Sequence, residues 1–248
     1  MISAIIITKN EEQHIARCLD SVAWVDEIVV LDSGSSDATV AICQQYTDKV
    51  YSTDWPGFGL QKQRALDKAT GDWILSLDAD EVVTPELRAE IELAVQSEQV
   101  NGFEIPRLSS YCGRSMRHGG WWPDYVLRLF RHSKGQFTEH AVHERVVVQG
   151  KIDRLNSPFL HEAFINLDEV LVKVNHYSSL GAEQLYQRGV RSSLSMAIAK
   201  GVWMFIRTYL IKAACLDGRQ GLMLAISNAE GTYYKYVKLL ELQTKRQP

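Results

Sequence analysis

Cysteine is scarce in this chain of 248 residues: Cys18, Cys43, Cys112 and Cys215 are all there is, and none forms a CxxC pair. A disulfide framework and a zinc ribbon are therefore not expected, and a reducing compartment fits best. Long apolar runs are also missing. The nearest candidate, residues 194–215, is interrupted by Lys200, Arg207 and Lys212, which disfavours a spanning helix. The opening run Ile2-Ser3-Ala4-Ile5-Ile6-Ile7 is too short for a signal peptide and no basic residue precedes it. An excess of positive charge is lacking too. The formal net charge of −3 argues against a wholly basic nucleic-acid binder. No GxGxxG turn follows the first apolar run, and no P-loop occurs, so phosphate binding by glycine-rich backbone is disfavoured. His140-Ala141-Val142-His143-Glu144 is neither HExxH nor HxxEH, which disfavours a zincin.

What remains is ordinary globular composition, 46% hydrophobic and 23% charged, in a chain long enough for one large domain or a domain with an appendage. Charge is unevenly spread: residues 1–167 carry a net −8 and residues 168–248 a net +5. A basic tail on an acidic body suits contact with an anionic surface, and equally suits attraction between the two halves.

Short β-branched runs alternate with helical patterns through the first hundred residues. Ile2–Thr8, Glu27–Asp32, Lys49–Ser52 and Trp73–Leu77 read as strands. Asn10, with Gln13 three residues on, reads as a helix N-cap, and Thr84-Pro85 as a strong helix start. This βα alternation predicts an α/β fold: a mostly parallel sheet with helices on both faces. Ligands then bind at the carboxyl ends of the strands, where Thr8, Asp32 and Asp78 fall. Beyond residue 100 the alternation stops. Phe103–Leu108, Val126–Phe130 and Arg145–Gln149 read as further strands, and residues from Leu167 onward as helix with basic residues throughout.

Asp78 and Asp80 flank Ala79 at the end of the fourth strand. Two carboxylates on a turn can converge on one hard cation, Mg²⁺ or Mn²⁺, which would bridge a diphosphate. The competing reading is a solvated acidic turn before the Thr84 helix.

Three stretches together resemble glycosyltransferase family 2: Ile5-Ile6-Ile7-Thr8-Lys9-Asn10-Glu11, Asp32-Ser33-Gly34-Ser35-Ser36-Asp37-Ala38-Thr39 and Leu77-Asp78-Ala79-Asp80-Glu81. Gly119-Gly120-Trp121-Trp122-Pro123-Asp124, Arg128-Leu129-Phe130-Arg131 and Val142-His143-Glu144-Arg145-Val146 narrow the likeness. They resemble bacterial lipopolysaccharide core glucosyltransferases of the WaaE/KdtX type. The resemblance implies a GT-A fold over residues 1–166, with a donor half (1–100) and an acceptor and catalytic half (101–166), followed by a basic helical extension, 167–248. It implies inverting transfer of a hexose, glucose from UDP-glucose, onto an inner-core heptose of a lipid-linked acceptor. Thr8, Glu11 and Asp32 would line the nucleoside pocket, with Asp32 accepting from the uracil ring nitrogen. Asp37 would cap the second helix. Lys62 and Arg64 would lie near the base or diphosphate, Asp80 would be the principal metal ligand, and Asp78 would face the ribose or a metal-bound water.

Inverting transfer needs a general base for the acceptor hydroxyl and stabilisation of the departing nucleoside diphosphate, but no protein nucleophile. The family usually carries an acidic pair after the late strands. Here the matching position reads His143-Glu144, so Glu144 is the expected base, with Asp124 its rival and an ion pair to Arg145 or Arg128 the structural alternative. Trp121 and Trp122 could stack on sugar or pack in a core, and Arg128, Arg131 and His143 are acceptor or diphosphate candidates. His161 could be a third metal ligand or a structural histidine. Trp203–Ile211, interleaved with basic residues, fits either an interfacial segment at an anionic membrane or a buried helical subdomain. The site of action implied is the cytoplasmic face of the bacterial inner membrane. A transferase acting on polyprenyl phosphate or another surface glycan, and a non-catalytic nucleotide-sugar-binding or scaffold protein, are the alternatives.

Overall fold

The computed structural model describes residues 1–138 and 145–245. Along the chain run β1 (Ile2–Thr8), α1 (Ile15–Val22), β2 (Glu27–Asp32), α2 (Thr39–Cys43), β3 (Val50–Ser52), α3 (Phe58–Leu66), β4 (Trp73–Asp78), β5 (Glu81–Val83) and α4 (Pro85–Ala94). Then follow β6 (Gly102–Tyr111), β7 (Arg114–Ser115), β8 (Asp124–Arg131), β9 (Gly135–Phe137), β10 (Val146–Val148), β11 (Ile152–Arg154) and β12 (Phe159–Phe164). Helices α5 (Leu167–Gln187), α6 (Leu194–Ile206) and α7 (Gly218–Lys245) complete it.

The main sheet has the order β3-β2-β1-β4-β8-β6-β12-β5. β1 is parallel to β2 and β4, and β2 to β3. β8 joins antiparallel to β4 and β6, and β12 antiparallel to β5. The sheet is thus parallel in its first half and mixed beyond it.

β1 is buried along its whole length because both of its faces are covered. Ala4 and Ile6 point to a core shared with Ile15, Cys18, Leu19 and Val22 of α1 and with Leu87 and Ile91 of α4. Ile5 and Ile7 point to the opposite core, with Ala65 and Leu66 of α3 and Phe137 of β9. This two-sided burial is why the strand reads as a continuous aliphatic run rather than as alternation.

Two local expectations meet different fates. Thr84 caps α4, its Oγ1 accepting from the Leu87 N–H at 3.1 Å, with Pro85 in the first turn. Asn10 does not cap α1, which begins only at Ile15. It sits at φ 55°, a left-handed conformation asparagine tolerates, and its Oδ1 accepts from the Ser36 N–H at 2.8 Å. Its side chain ties the β1–α1 loop to the β2–α2 loop instead. Asp37 accepts from the Thr39 N–H at 3.0 Å, at the entrance to α2.

The chain divides into two compact units, residues 1–107 with 124–161, and residues 108–123 with 162–248. The second unit therefore holds the expected helical extension together with an earlier stretch. In it, Asn166 caps α5 by accepting from the Glu169 N–H, and Ser193 caps α6 by accepting from the Met196 N–H. Tyr111, Met116, Val170 and Leu224 form its core.

Helix α6 shows an inverted pattern. Its buried positions are small, Ala197 and Gly201, continued by Thr208 in the π-helical turn Arg207–Ile211. A Cβ at Gly201 would lie 3.2 Å from Tyr233 Cβ, so α6 and α7 approach closely there. The large residues Leu194, Ile198, Val202, Trp203, Ile206, Leu210 and Ile211 are exposed. The 18-residue stretch Leu194–Ile211 has a mean hydropathy of 1.3, and only 17% of it is buried. By length and composition it is apolar enough to cross a membrane, its two charges notwithstanding. At about 1.5 Å per residue it is about 27 Å long.

Candidate active site

The carboxyl ends of β1 and β4 open onto a cavity of about 390 Å³ lined by Thr8, Lys9, Glu11, Trp55, Phe58, Asp78, Asp80 and His161, among others. Strand order explains the grouping. β1 and β4 are adjacent and parallel, so Thr8 and Asp78 emerge at the same edge. The chain turns through Ala79 and Asp80 into β5, and β12 pairs with β5 so that His161 stands opposite Glu81. A histidine 81 residues from Asp80 in sequence is thereby brought to 3.3 Å, Nε2 to Oδ2.

The two aspartates of the turn have different environments. Asp78 is held between two nearly buried cations, its Oδ1 2.8 Å from Lys62 Nζ and its Oδ2 2.5 Å from an Arg128 Nη. The same Arg128 nitrogen donates to Glu81, a fully buried carboxylate that also accepts from the Asp78 N–H at 2.9 Å. The cluster is charge-balanced: Lys62 and Arg128 against Asp78 and Glu81. Burial would raise the Asp78 carboxyl, but Arg128 and Lys62 hold it well below the usual range. Burial pushes Glu81 up, and Arg128 pulls against that. Asp78 is thus committed to the protein, and Asp80 faces the cavity with the His161 imidazole 3.3 Å away.

A divalent cation fits this pair. A carboxylate oxygen and an imidazole nitrogen converge at a cavity wall, and Mg²⁺ or Mn²⁺ bound with substrate phosphates needs only one or two protein ligands. Among the described residues no group of three or more His, Cys, Asp or Glu side chains could hold a metal, so phosphate and water would complete the shell. Thr8, which lines the cavity, has its Oγ1 buried with no hydrogen-bond partner among the described residues. Glu11 keeps its loop in place, its N–H donating to Thr39 Oγ1 at 2.8 Å and its carboxylate 2.9 Å from His14 Nδ1. Burial raises its carboxyl above the ordinary value, with Asp80 adding to the rise and His14 opposing it.

Other expected residues lie elsewhere or are otherwise engaged. Asp32 is buried, and its Oδ2 accepts from the N–H groups of Gly34 and Ser35, both at 2.9 Å, so its carboxylate closes its own turn rather than lining the cavity. Arg64 pairs with Asp54 at 2.7 Å on the surface. Asp124 is bound by Arg107 through contacts of 2.9 and 2.6 Å. Arg131 stands opposite Trp73, at the amino end of β4, where it stacks on the indole and donates to the Ser97 carbonyl. The five residues from Trp73 to Asp78 span about 16 Å of strand, which takes Arg131 away from the turn. Trp121 packs on Tyr111 and Phe164 in the helical unit, and Trp122 lies under Arg117. His143 and Glu144 lie outside the described residues. Arg128, an acceptor or diphosphate candidate from sequence, is instead the buried counter-ion of Asp78 and Glu81.

Sequence reasoning missed Glu81, Trp55 and Phe58. The aromatic pair meets edge to face at 4.7 Å and is half exposed, at 42% and 49%, on the cavity rim. The signal was Trp55-Pro56-Gly57-Phe58, two large aromatics at a loop and the helix start that follows it, with no apolar periodicity to bury them.

The family model for glycosyl transferase family 2 matches residues 3–148. The chain belongs to glycosyltransferase family 2. This glycosyltransferase is 31% identical over 253 residues to the lipopolysaccharide core biosynthesis glycosyltransferase LpsC of Rhizobium meliloti, covering 97% of this chain and 92% of that one. It is also 31% identical to the glycosyltransferase RT0209 of Rickettsia typhi, covering 98% and 88%. Among solved structures, residues 1–349 of S. aureus TarS in complex with UDP-GlcNAc match with a TM-score of 0.51 at 16% identity, covering 98% of this chain and 92% of that one. That likeness establishes a fold of the GT-A kind. The expected fold class is therefore borne out, and the enzyme is a glycosyltransferase with relatives in lipopolysaccharide core biosynthesis.

Proposed function

We propose that this glycosyltransferase moves a hexose from a nucleotide sugar, UDP-glucose, onto an inner-core heptose of lipopolysaccharide, with inversion and with Mg²⁺ or Mn²⁺. The observation that carries the reading is the Asp80–His161 pair on the cavity wall, beside an Asp78 already neutralised by Lys62 and Arg128. Asp80 and His161 would hold the cation. When bound, it offsets charge on the departing diphosphate. Thr8 offers its unpaired hydroxyl to the donor, and Trp55 and Phe58 give the donor apolar surface at the rim. Lys62 and Arg128 act indirectly, by fixing the turn that presents Asp80.

Glu144 takes the proton of the attacking acceptor hydroxyl in this reading. Its rival Asp124 is already paired with Arg107, which disfavours it as a free base. The LpsC likeness supports a lipid-linked core acceptor. The exposed apolar face of α6, with Lys200, Arg207 and Lys212 exposed beside it, supports peripheral attachment to an anionic membrane, on the cytoplasmic face of the inner membrane.

The test is transfer from UDP-glucose to delipidated core oligosaccharide, with polyprenyl phosphate as the competing acceptor. Asp80→Ala is expected to abolish metal-dependent transfer while the protein stays folded. Glu144→Gln is expected to keep donor binding and lose kcat. Full activity of Asp80→Ala, or full activity in excess chelator, refutes the metal assignment. Product on polyprenyl phosphate alone refutes the acceptor.

A further inference from the structure

The helical unit holds a second cavity, of about 300 Å³, between α5 and α7. Its floor is aromatic. Tyr111 lies 5.8 Å from Trp121 and 5.7 Å from Phe164, centroid to centroid, and Trp121 lies 6.2 Å from Phe164. The Tyr111 hydroxyl is satisfied by Ser227 at 2.9 Å. Two cations stand on the wall. Lys173 from α5 places its Nζ 4.6 Å above the Phe164 ring and donates to the Ala163 carbonyl at 3.3 Å. Lys235 from α7 packs its stem beside Gly181, where a Cβ would meet it at 2.7 Å. Neither lysine forms an ion pair among the described residues, and no carboxylate lines the cavity. Ser178, Asn228 and Thr232 also line it; the Ser178 hydroxyl donates to the Asn175 carbonyl at 2.9 Å and accepts from Lys238 Nζ at 2.8 Å, and the Asn228 amide donates to Thr208 Oγ1 at 3.5 Å.

We infer that this cavity binds an acidic sugar, a pyranose carrying a carboxylate or phosphate, as a subsite for the acceptor glycan. The cations without counter-ions call for an anion. The aromatic floor calls for a flat C–H face, since aromatic rings present a negative face that a bare anion avoids. The Thr232 hydroxyl and the remaining donor and acceptor capacity of the Asn228 amide call for hydroxyl partners, which a plain acyl chain would leave unpaired. An acidic pyranose meets all three demands at once, and the volume lies at the small-ligand end of binding pockets. The choice of acceptor rests on the reading proposed above; the pocket chemistry does not.

The experiment is ligand-observed NMR on the full chain with saturating UDP and diamagnetic Mg²⁺, so that the donor cavity is occupied. The probes are methyl glucuronide, methyl glucoside, inorganic phosphate and decyl phosphate. Methyl glucuronide is expected to bind at least tenfold tighter than methyl glucoside or phosphate. Lys173→Met and Lys235→Met, which keep the apolar stems, are each expected to weaken it several-fold, and the pair at least tenfold, with UDP affinity unchanged. Equal binding of glucoside and glucuronide, equal binding of phosphate and glucuronide, or no effect of the methionine variants overturns the inference. Tighter binding of decyl phosphate overturns it in favour of a lipid site. Failure of UDP to bind would count against the donor reading alone, because the glucuronide titration is read independently.

Discussion

Replacing Arg128 by methionine removes one guanidinium and leaves two carboxylates facing each other. Arg128 is 5% exposed and bridges Asp78 and Glu81 through contacts of 2.5 Å. Lys62 remains beside Asp78, 2.8 Å from its Oδ1, while Glu81 loses the guanidinium that pairs with it in a fully buried position. Breaking a buried pair by removing one partner costs about 3–5 kcal/mol, largely because the other charge stays buried. Against a typical total of about 5–15 kcal/mol that is a severe loss. Methionine fills most of the vacated volume, so the cost is electrostatic rather than a cavity. The double variant Arg128→Met with Glu81→Gln is expected to recover a substantial part of the stability, since the stranded anion is gone. Urea unfolding followed by tryptophan fluorescence measures all three proteins. A loss below about 1 kcal/mol for Arg128→Met, or no recovery in the double variant, would refute the charge-balance account.

Glu27 supplies a pH prediction. Burial alone would raise its carboxyl, but hydrogen bonds from Lys49, Ser3 and Thr70 bring it from an ordinary 4.5 down to about 2. A lowered folded value stabilises above the unfolded pKa and is lost as pH falls through the folded one, so Glu27 contributes about 3 kcal/mol at pH 7 and about 1 kcal/mol at pH 3. The stability gap between wild type and Glu27→Gln in urea should narrow over that range; a constant gap counts against it. Thr84→Ala removes the α4 cap and should cost about 1 kcal/mol, with no effect on donor affinity in a UDP titration. Gly221→Ala places a Cβ 1.7 Å from the Ala214 carbonyl oxygen, backbone that cannot swing aside. It should lower the melting temperature sharply, and an unchanged value would contradict the close approach. Salt-sensitive sedimentation of the full chain with anionic vesicles should weaken when Lys200, Arg207 and Lys212 become Gln; equal recovery with neutral vesicles would reject the electrostatic part.

The first hundred residues were legible because their strands are buried on both faces, which writes aliphatic runs such as Ile5-Ile6-Ile7 into the sequence. The Asp-x-Asp turn was legible from its position at the end of such a run. The division of labour between its two carboxylates was not. Nothing near residue 78 indicates that Arg128, 50 residues on, arrives antiparallel on β8 to neutralise it. β5 and β12 were missed for the same reason: three residues of β5 carry no periodicity, and their pairing partner lies about 80 residues away. Arg131 illustrates the opposite error, since three residues of β8 carry it about 10 Å along the strand from Arg128, toward the other end of the sheet. Asn10 had the composition of a cap, but a competing acceptor role for its side chain, toward Ser36, decided its conformation.

Helix α6 separates two kinds of information along one stretch of chain. Ala197, Gly201 and Thr208 hold it against its neighbour, and their small size is what the packing demands. Ile198, Val202, Trp203 and Leu210 contribute almost nothing to that packing, because they look outward. If α6 meets a membrane as proposed, substitution on the outer set would change how strongly, and to what surface, the enzyme adheres at little cost to its fold. Under that proposal adhesion and stability would drift largely independently, because the side chains that set the first are about half exposed and carry little of the second.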